Sequence, residues 1–232
     1  MEMDERIEYA VRHTEILRLP RQTLSTFGTT NIYYYLLTEP AYKELTHDVA
    51  ETVIREGRVI AERPRIVTPY YLCHIEGFSA DARKYFETLR AVHGANAPGL
   101  FYAYRNEPKE FNIASDRLLA VAAKLNDEIN QRNEPLTSII RGTDELWDVS
   151  LMKFIYEMTR RSMPDNLTQL GGRGLLDIDS SGVPADARLR IEELFSEVVQ
   201  GEIDPSLLKT ELDRWGLFEE YQDRFLTLFR RK

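Results

Sequence analysis

The sequence predicts an α+β protein, with a mixed or antiparallel sheet and short helices in residues 1–113 and a helical layer or subdomain in 114–232. Three observations carry this expectation. Ten of the twelve tyrosines precede residue 105, and tyrosine suits the half-buried surface of a sheet. Short alternating or densely apolar runs, punctuated by Gly and Pro, fill the same region. From about residue 114 onward, apolar residues recur at helical spacing instead. Asn133-Glu134-Pro135 is only a weak boundary, and no solenoid repeat is present. One integrated domain and two separable regions therefore both fit.

Residues 7–17 satisfy two periodicities, and the Val, Ile, Thr and Tyr content favours a strand. Residues 30–38, with Tyr33, Tyr34 and Tyr35, are apolar on both faces and predict a covered or central strand. Glu39-Pro40 ends it, because proline donates no ladder hydrogen bond. Val53 to Ile60 reads as a hairpin with Gly57 at its turn. Its second strand runs from Arg58 to Val67, broken or bent at Pro64. Tyr70 to Cys73 begins a further short strand, Ser79 caps a helix reaching about Val92, and Leu100 to Tyr104 is a strand.

In the second region, Leu118, Ala122, Leu125 and Ile129 form the stripe of a helix over 115–132. Thr143 caps the next, with Asp144 and Glu145 in its first turn and Arg160 and Arg161 in its last, as the helix dipole favours. Ala187, Ile191, Leu194, Phe195 and Val198 define a helix over 186–200. Asp204-Pro205 combines a capping side chain with proline at the first helical position, and Gly216 closes that helix. Phe218 to Phe229 makes the last.

The net charge of −8 disfavours a generic nucleic-acid binder, which needs a clustered basic excess. Before residue 113 there are 14 basic and 16 acidic residues and after it 16 and 22, so the acidity belongs mainly to the helical region. No apolar run has the length of a membrane-spanning helix, and the acidic opening Met1-Glu2-Met3-Asp4 lacks the layout of a secretory signal. One cysteine forms no internal disulfide, which matches a reducing cytoplasm.

Motifs with chemical meaning fall short of their requirements. Gly171-Gly172-Arg173-Gly174 lacks the Lys-Ser/Thr of a phosphate loop. Asp177-Ile178-Asp179-Ser180-Ser181-Gly182 begins like a calcium loop, yet Arg188 stands where the closing glutamate belongs. Cys73 and His74 are adjacent and would point apart on a strand. His13, His47, His74 and His93 lack metal-ligand spacing. No metal or cofactor is expected.

The strongest surface is formed by Tyr33, Tyr35, Arg63, Arg65, Tyr70 and Tyr71. Arginines sharing a strand face with apolar neighbours must snorkel or find a partner. They either recognise an anion together with the tyrosines or pair internally with glutamates, and internal pairing is the commoner outcome. The C-terminal aromatics Trp215, Phe218, Tyr221, Phe225 and Phe229 close the core or pack against a partner or a second copy. The leading expectation is a non-catalytic interaction or regulatory protein. The alternative is a small-molecule or nucleotide-processing enzyme with a pocket where the aromatic strands meet the hairpin arginines.

Overall fold

A computed structural model describes residues 5–40, 50–68, 70–71, 91 and 99–229. The expected helix from Ser79, together with Cys73, His47, His74 and His93, lies outside them. The fold is α+β. In chain order the described elements are α1 (Glu5–His13), β1 (Glu15–Arg18), β2 (Thr30–Thr38), β3 (Thr52–Ala61), β4 (Arg65–Val67), β5 (Gly99–Phe101), β6 (Tyr104–Ala114), α2 (Leu118–Gln131) and β7 (Thr137–Arg141). Four helices follow: α3 (Trp147–Gly172), α4 (Ala185–Gln200), α5 (Pro205–Trp215) and α6 (Phe218–Thr227).

The chain divides into two compact units, and neither is a continuous stretch. Unit 1 is Met1–Arg63 with Tyr102–Asn166, and unit 2 is Pro64–Phe101 with Leu167–Lys232. A single cut near residue 113 does not describe this division. The cause is β6, which follows the unit 2 insertion yet completes the unit 1 sheet beside β3.

Unit 1 is built on a five-stranded sheet of order β1-β7-β2-β3-β6. β2 pairs antiparallel with β3 and parallel with β7, which the chain reaches from β6 through α2 and which pairs antiparallel with β1 on its other side. Each face of the sheet has its own apolar layer. Ile32, Tyr34, Leu36, Val59 and Ala61 pack with Leu151, Phe154, Ile155 and Met158 of α3. Leu37 and Ile139 pack with Leu118, Val121, Ala122 and Ile129 of α2 on the opposite face. The covered, central strand predicted at 30–38 is this β2.

Four sequence expectations are corrected. Residues 5–13 are helical, and the strand is confined to Glu15–Arg18: Tyr9 stacks on His13 one turn later, and Thr14 bonds back to the Ala10 carbonyl at 2.7 Å. Gly57 is no turn. It sits mid-strand in β3, opposite Tyr34, whose ring covers it. Tyr70 and Tyr71 are helical rather than extended. β7 lies within the stretch read as wholly helical, its polar Thr137 and Ser138 buried because their hydroxyls bond Glu134 and the Arg18 carbonyl.

α3 also runs farther than Arg161. Ser162 and Asn166, both fully buried, tie it to the loop before β2: Ser162 Oγ accepts from the Leu24 N–H at 2.9 Å, and Asn166 Nδ2 donates to the Leu24 carbonyl at 2.9 Å. Thr143 does not cap this helix, and its hydroxyl is buried without a hydrogen-bond partner.

Unit 2 contains the antiparallel pair β4–β5, the end of α3, and α4–α6. Its core gathers Tyr71, Ile191, Phe195, Leu208, Leu212, Trp215, Leu217 and Phe225. Asp204 accepts from the Ser206 N–H at 2.8 Å, and Gly216 adopts φ 67°, so the predicted cap and stop of α5 are both formed.

Candidate functional site

In unit 1, alternation along β2 sends Tyr33 and Tyr35 to the same face of the sheet. Cross-strand pairing places Arg58 beside Tyr33 and Glu56 beside Tyr35. Glu56 is in turn opposite Glu110 of β6, and the register shifts between Glu56 and Gly57. The bulge brings Lys109 over the Tyr33 ring, its ammonium 5.0 Å from the ring centre. With the turn 133–136 that follows α2, Tyr33, Tyr35, Glu56 and Lys109 line a groove of about 500 Å³. Asn133 has φ 49°, a left-handed conformation that asparagine tolerates better than most residues.

The electrostatics of the groove are those of partly buried acids. Burial, and then Glu110, raise the Glu56 carboxyl above its ordinary range, with Lys109 and Arg132 opposing. Burial, followed by Glu56 and Glu134, raises the Tyr35 hydroxyl, with Arg132 opposing. Arg58 is engaged by Glu107.

The remaining residues singled out in the sequence lie elsewhere. Arg63 is the last residue of the first unit 1 segment, whereas Arg65, Tyr70 and Tyr71 belong to unit 2. Arg65 covers Phe101 across β4–β5, 5.6 Å from the ring centre. Tyr71 is buried against Trp215, donates to Glu211 Oε2 at 3.1 Å, and accepts from Arg214 at 3.4 Å. Arg65 and Tyr71 thus line one small recess of unit 2, while Tyr33 and Tyr35 share the groove of unit 1. Glu56 and Lys109 are groove residues that the sequence did not mark, because only strand pairing and the bulge unite them.

A second cluster lies on the opposite face of the same sheet. The Arg55 guanidinium donates to Asp144 Oδ1 at 2.8 Å and to Thr38 Oγ1 at 3.0 Å. It stands 5.3 Å from the Phe111 ring centre and 5.7 Å from that of Trp147. Planar, weakly hydrated arginine suits such a stacked, paired position. The cluster fixes the loop after β7 to the carboxyl end of β2. Asp144, expected to serve the α3 dipole, is committed here instead.

In unit 2, Trp215, Leu217 and Phe225 close the core, but the aromatic surface is not exhausted there. Arg188–Glu220 and Glu192–Arg224 ion pairs hold α6 alongside α4, running in the same direction. Toward their C-terminal ends, Phe195, Val198, Val199, Pro205, Leu228 and Phe229 line a groove of about 770 Å³. Val199 and Phe229 are 66% and 55% exposed.

Among the described residues, no three His, Cys, Asp or Glu side chains converge as metal ligands. The loop at 177–182 has an internal cation in place of an external one. Asp179 accepts from the Ser181 and Val183 N–H groups at 2.8 and 3.0 Å, and Arg188 completes the set at 2.8 Å. Burial alone would raise the Asp179 carboxyl, but the Val183 N–H, Arg188 and the Ser181 N–H outweigh it and hold it below its ordinary value. A depressed folded-state value gives stability that is present above the unfolded-state pKa, near 4, and is lost as pH falls through the folded value. Asp179→Asn should therefore flatten the acid limb of unit 2 unfolding below about pH 4. Acid titration followed by far-UV circular dichroism tests this, and an unchanged acid limb counts against it.

No family model, curated protein or solved structure matches this chain. No helix of the described residues is long and apolar enough to cross a membrane.

Proposed function

We propose that this protein is a non-catalytic interaction protein of the cytoplasm that self-associates through the helices of unit 2. The observation that carries the reading is the groove between α4 and α6, where Val199 and Phe229 present apolar surface beside a core already closed by Trp215 and Phe225. Exposed apolar surface grouped in a groove marks an interaction site more often than isolated exposed residues do. A two-fold contact brings the same patch of each copy together and requires no second chemistry. The net charge of −8 and the single cysteine fit a cytoplasmic protein that does not grip nucleic acid.

Size-exclusion chromatography with light scattering provides the test. The wild-type chain is expected to be a dimer at tens of micromolar, and Val199→Asp a monomer with unchanged helicity. A monomeric wild type rejects self-association. A dimer that survives Val199→Asp places the contact elsewhere.

The alternative enzyme reading draws support from one observation, the raised Glu56 carboxyl inside the Tyr33–Tyr35 groove, since shifted carboxylates in clefts are candidates for proton transfer. A dose-dependent rise in melting temperature with a nucleotide or phosphorylated metabolite would favour it.

A further inference from the structure

The Tyr33–Tyr35 groove has the composition of a cation receptor. We propose that it binds a small alkylammonium molecule, with Tyr33 as the aromatic wall and Glu56, backed by its strand partner Glu110, as the counter-charge. All these groups belong to unit 1, and the inference does not depend on self-association through unit 2.

The chain supplies its own occupant for one part of the groove. Lys109 carries a primary ammonium on a four-carbon stem and holds it 5.0 Å from the Tyr33 ring centre. That distance lies within the range where a ring face attracts a cation. Lys109 sits on the outer strand of the sheet, at the bulge, and is itself exposed. Its side chain can turn to solvent and leave the ring face to a ligand of the same chemistry.

The carboxylates supply the second part. Glu56 and Glu110 are directly opposed across β3–β6, an arrangement that destabilises a sheet unless a cation lies nearby. Glu134 adds further negative charge beside Tyr35. Among the described residues, Lys109 and Arg132 act on Glu56, Arg132 being paired with Glu128, and Arg18 acts on Glu134. Arg58 and Arg105 are occupied with Glu107. An anionic ligand would meet Glu56 with Lys109 as the one cation among the described lining residues, whereas an ammonium takes the place of Lys109 at the ring and relieves the repulsion between Glu56 and Glu110. The volume of about 500 Å³ is that of a small-molecule site.

Calorimetric titration of the full chain with 1,4-diaminobutane, and with n-butylamine, is compared with sodium chloride at matched ionic strength. Saturable binding of one amine per chain is expected. Lys109→Met removes the internal competitor and should tighten binding about fivefold, while Glu56→Gln and Tyr33→Leu should each weaken it about tenfold.

Glu56→Gln also has a readout without ligand. Because its carboxyl is raised in the folded state, the contribution of Glu56 to stability is fully present below its unfolded pKa and is lost as pH rises through the folded value. Removing the charge should therefore raise the melting temperature at neutral pH, which also confirms that the variant folds. The proposal is overturned if no saturable binding occurs. It is equally overturned if binding ignores Lys109→Met and Glu56→Gln, the behaviour of diffuse attraction to an acidic chain.

Discussion

Replacing Gly57 with valine should destabilise unit 1 by about 2–4 kcal/mol, because the β-carbon has no space to enter. Built on the existing backbone, that atom would stand 2.3 Å from the Tyr34 hydroxyl oxygen and 2.5 Å from the adjoining ring carbon. Tyr34 cannot easily yield. It is 2% exposed, lies in the α3-facing core, and reaches across β3 to donate to Asn106 of β6 at 3.1 Å. The ring crosses Gly57 as a strap from β2 to the outer strand, so displacing it breaks both the packing and the hydrogen bond.

Urea unfolding followed by Trp147 fluorescence, in a Trp215→Phe background, measures the effect within unit 1. A double-mutant cycle gives the sharper result. In a Tyr34→Ala protein, Gly57→Ala should cost less than about 0.5 kcal/mol, because the obstructing ring is gone. A Gly57→Val protein as stable as the parent would refute the steric account.

The second large effect is expected at Trp215. Trp215→Ala should destabilise unit 2 by about 3–5 kcal/mol, the range for truncating a buried aromatic side chain. The indole is 4% exposed, lies 4.7 Å from the Tyr71 ring, and donates to Glu211 Oε1 at 3.2 Å. Glu211 is itself buried and accepts from Tyr71 through its other oxygen. Truncation thus opens a cavity and removes one of the donors that satisfy a buried carboxylate. Trp215→Phe keeps most of the volume and should cost roughly half as much. Far-UV circular dichroism across a urea titration reads both, and equal losses for the two variants would contradict the cavity explanation.

These two sites differ in how far the sequence marked them. The helical spacing around Trp215, with Asp204-Pro205 before it and Gly216 after it, was readable because caps and periodicity are local properties. Gly57 imitates a hairpin turn in the sequence because it stands with charged neighbours between two short apolar runs, and only its strand neighbour shows otherwise. Nothing near position 57 announces that Tyr34 will lie over it. Glycine within a strand is also a sign of close approach by another group, and here that second meaning applies.

The candidate groove divides in the same way. Tyr33 and Tyr35 share a face of β2 through simple alternation, which the sequence showed. Their neighbours Glu56 and Lys109 arrive from β3 and β6 through ladder register and a bulge, and Arg132 from the end of α2. Arg63 and Arg65 are close to one another in sequence, yet the boundary between the units passes between them at Pro64.

The sequence by itself therefore determined the α+β class, the covered strand β2, and the helices α2 and α4–α6 with the cap and stop of α5. Each of these rests on contacts within one or two helical turns or one strand. Tertiary structure alone decided the burial of β7, the role of Gly57, the discontinuous division of the chain, and the partners of Tyr33 and Tyr35. The physical reason is that sheet register and strand order join residues far apart in the chain, and the energy that selects them belongs to the pairing rather than to either segment.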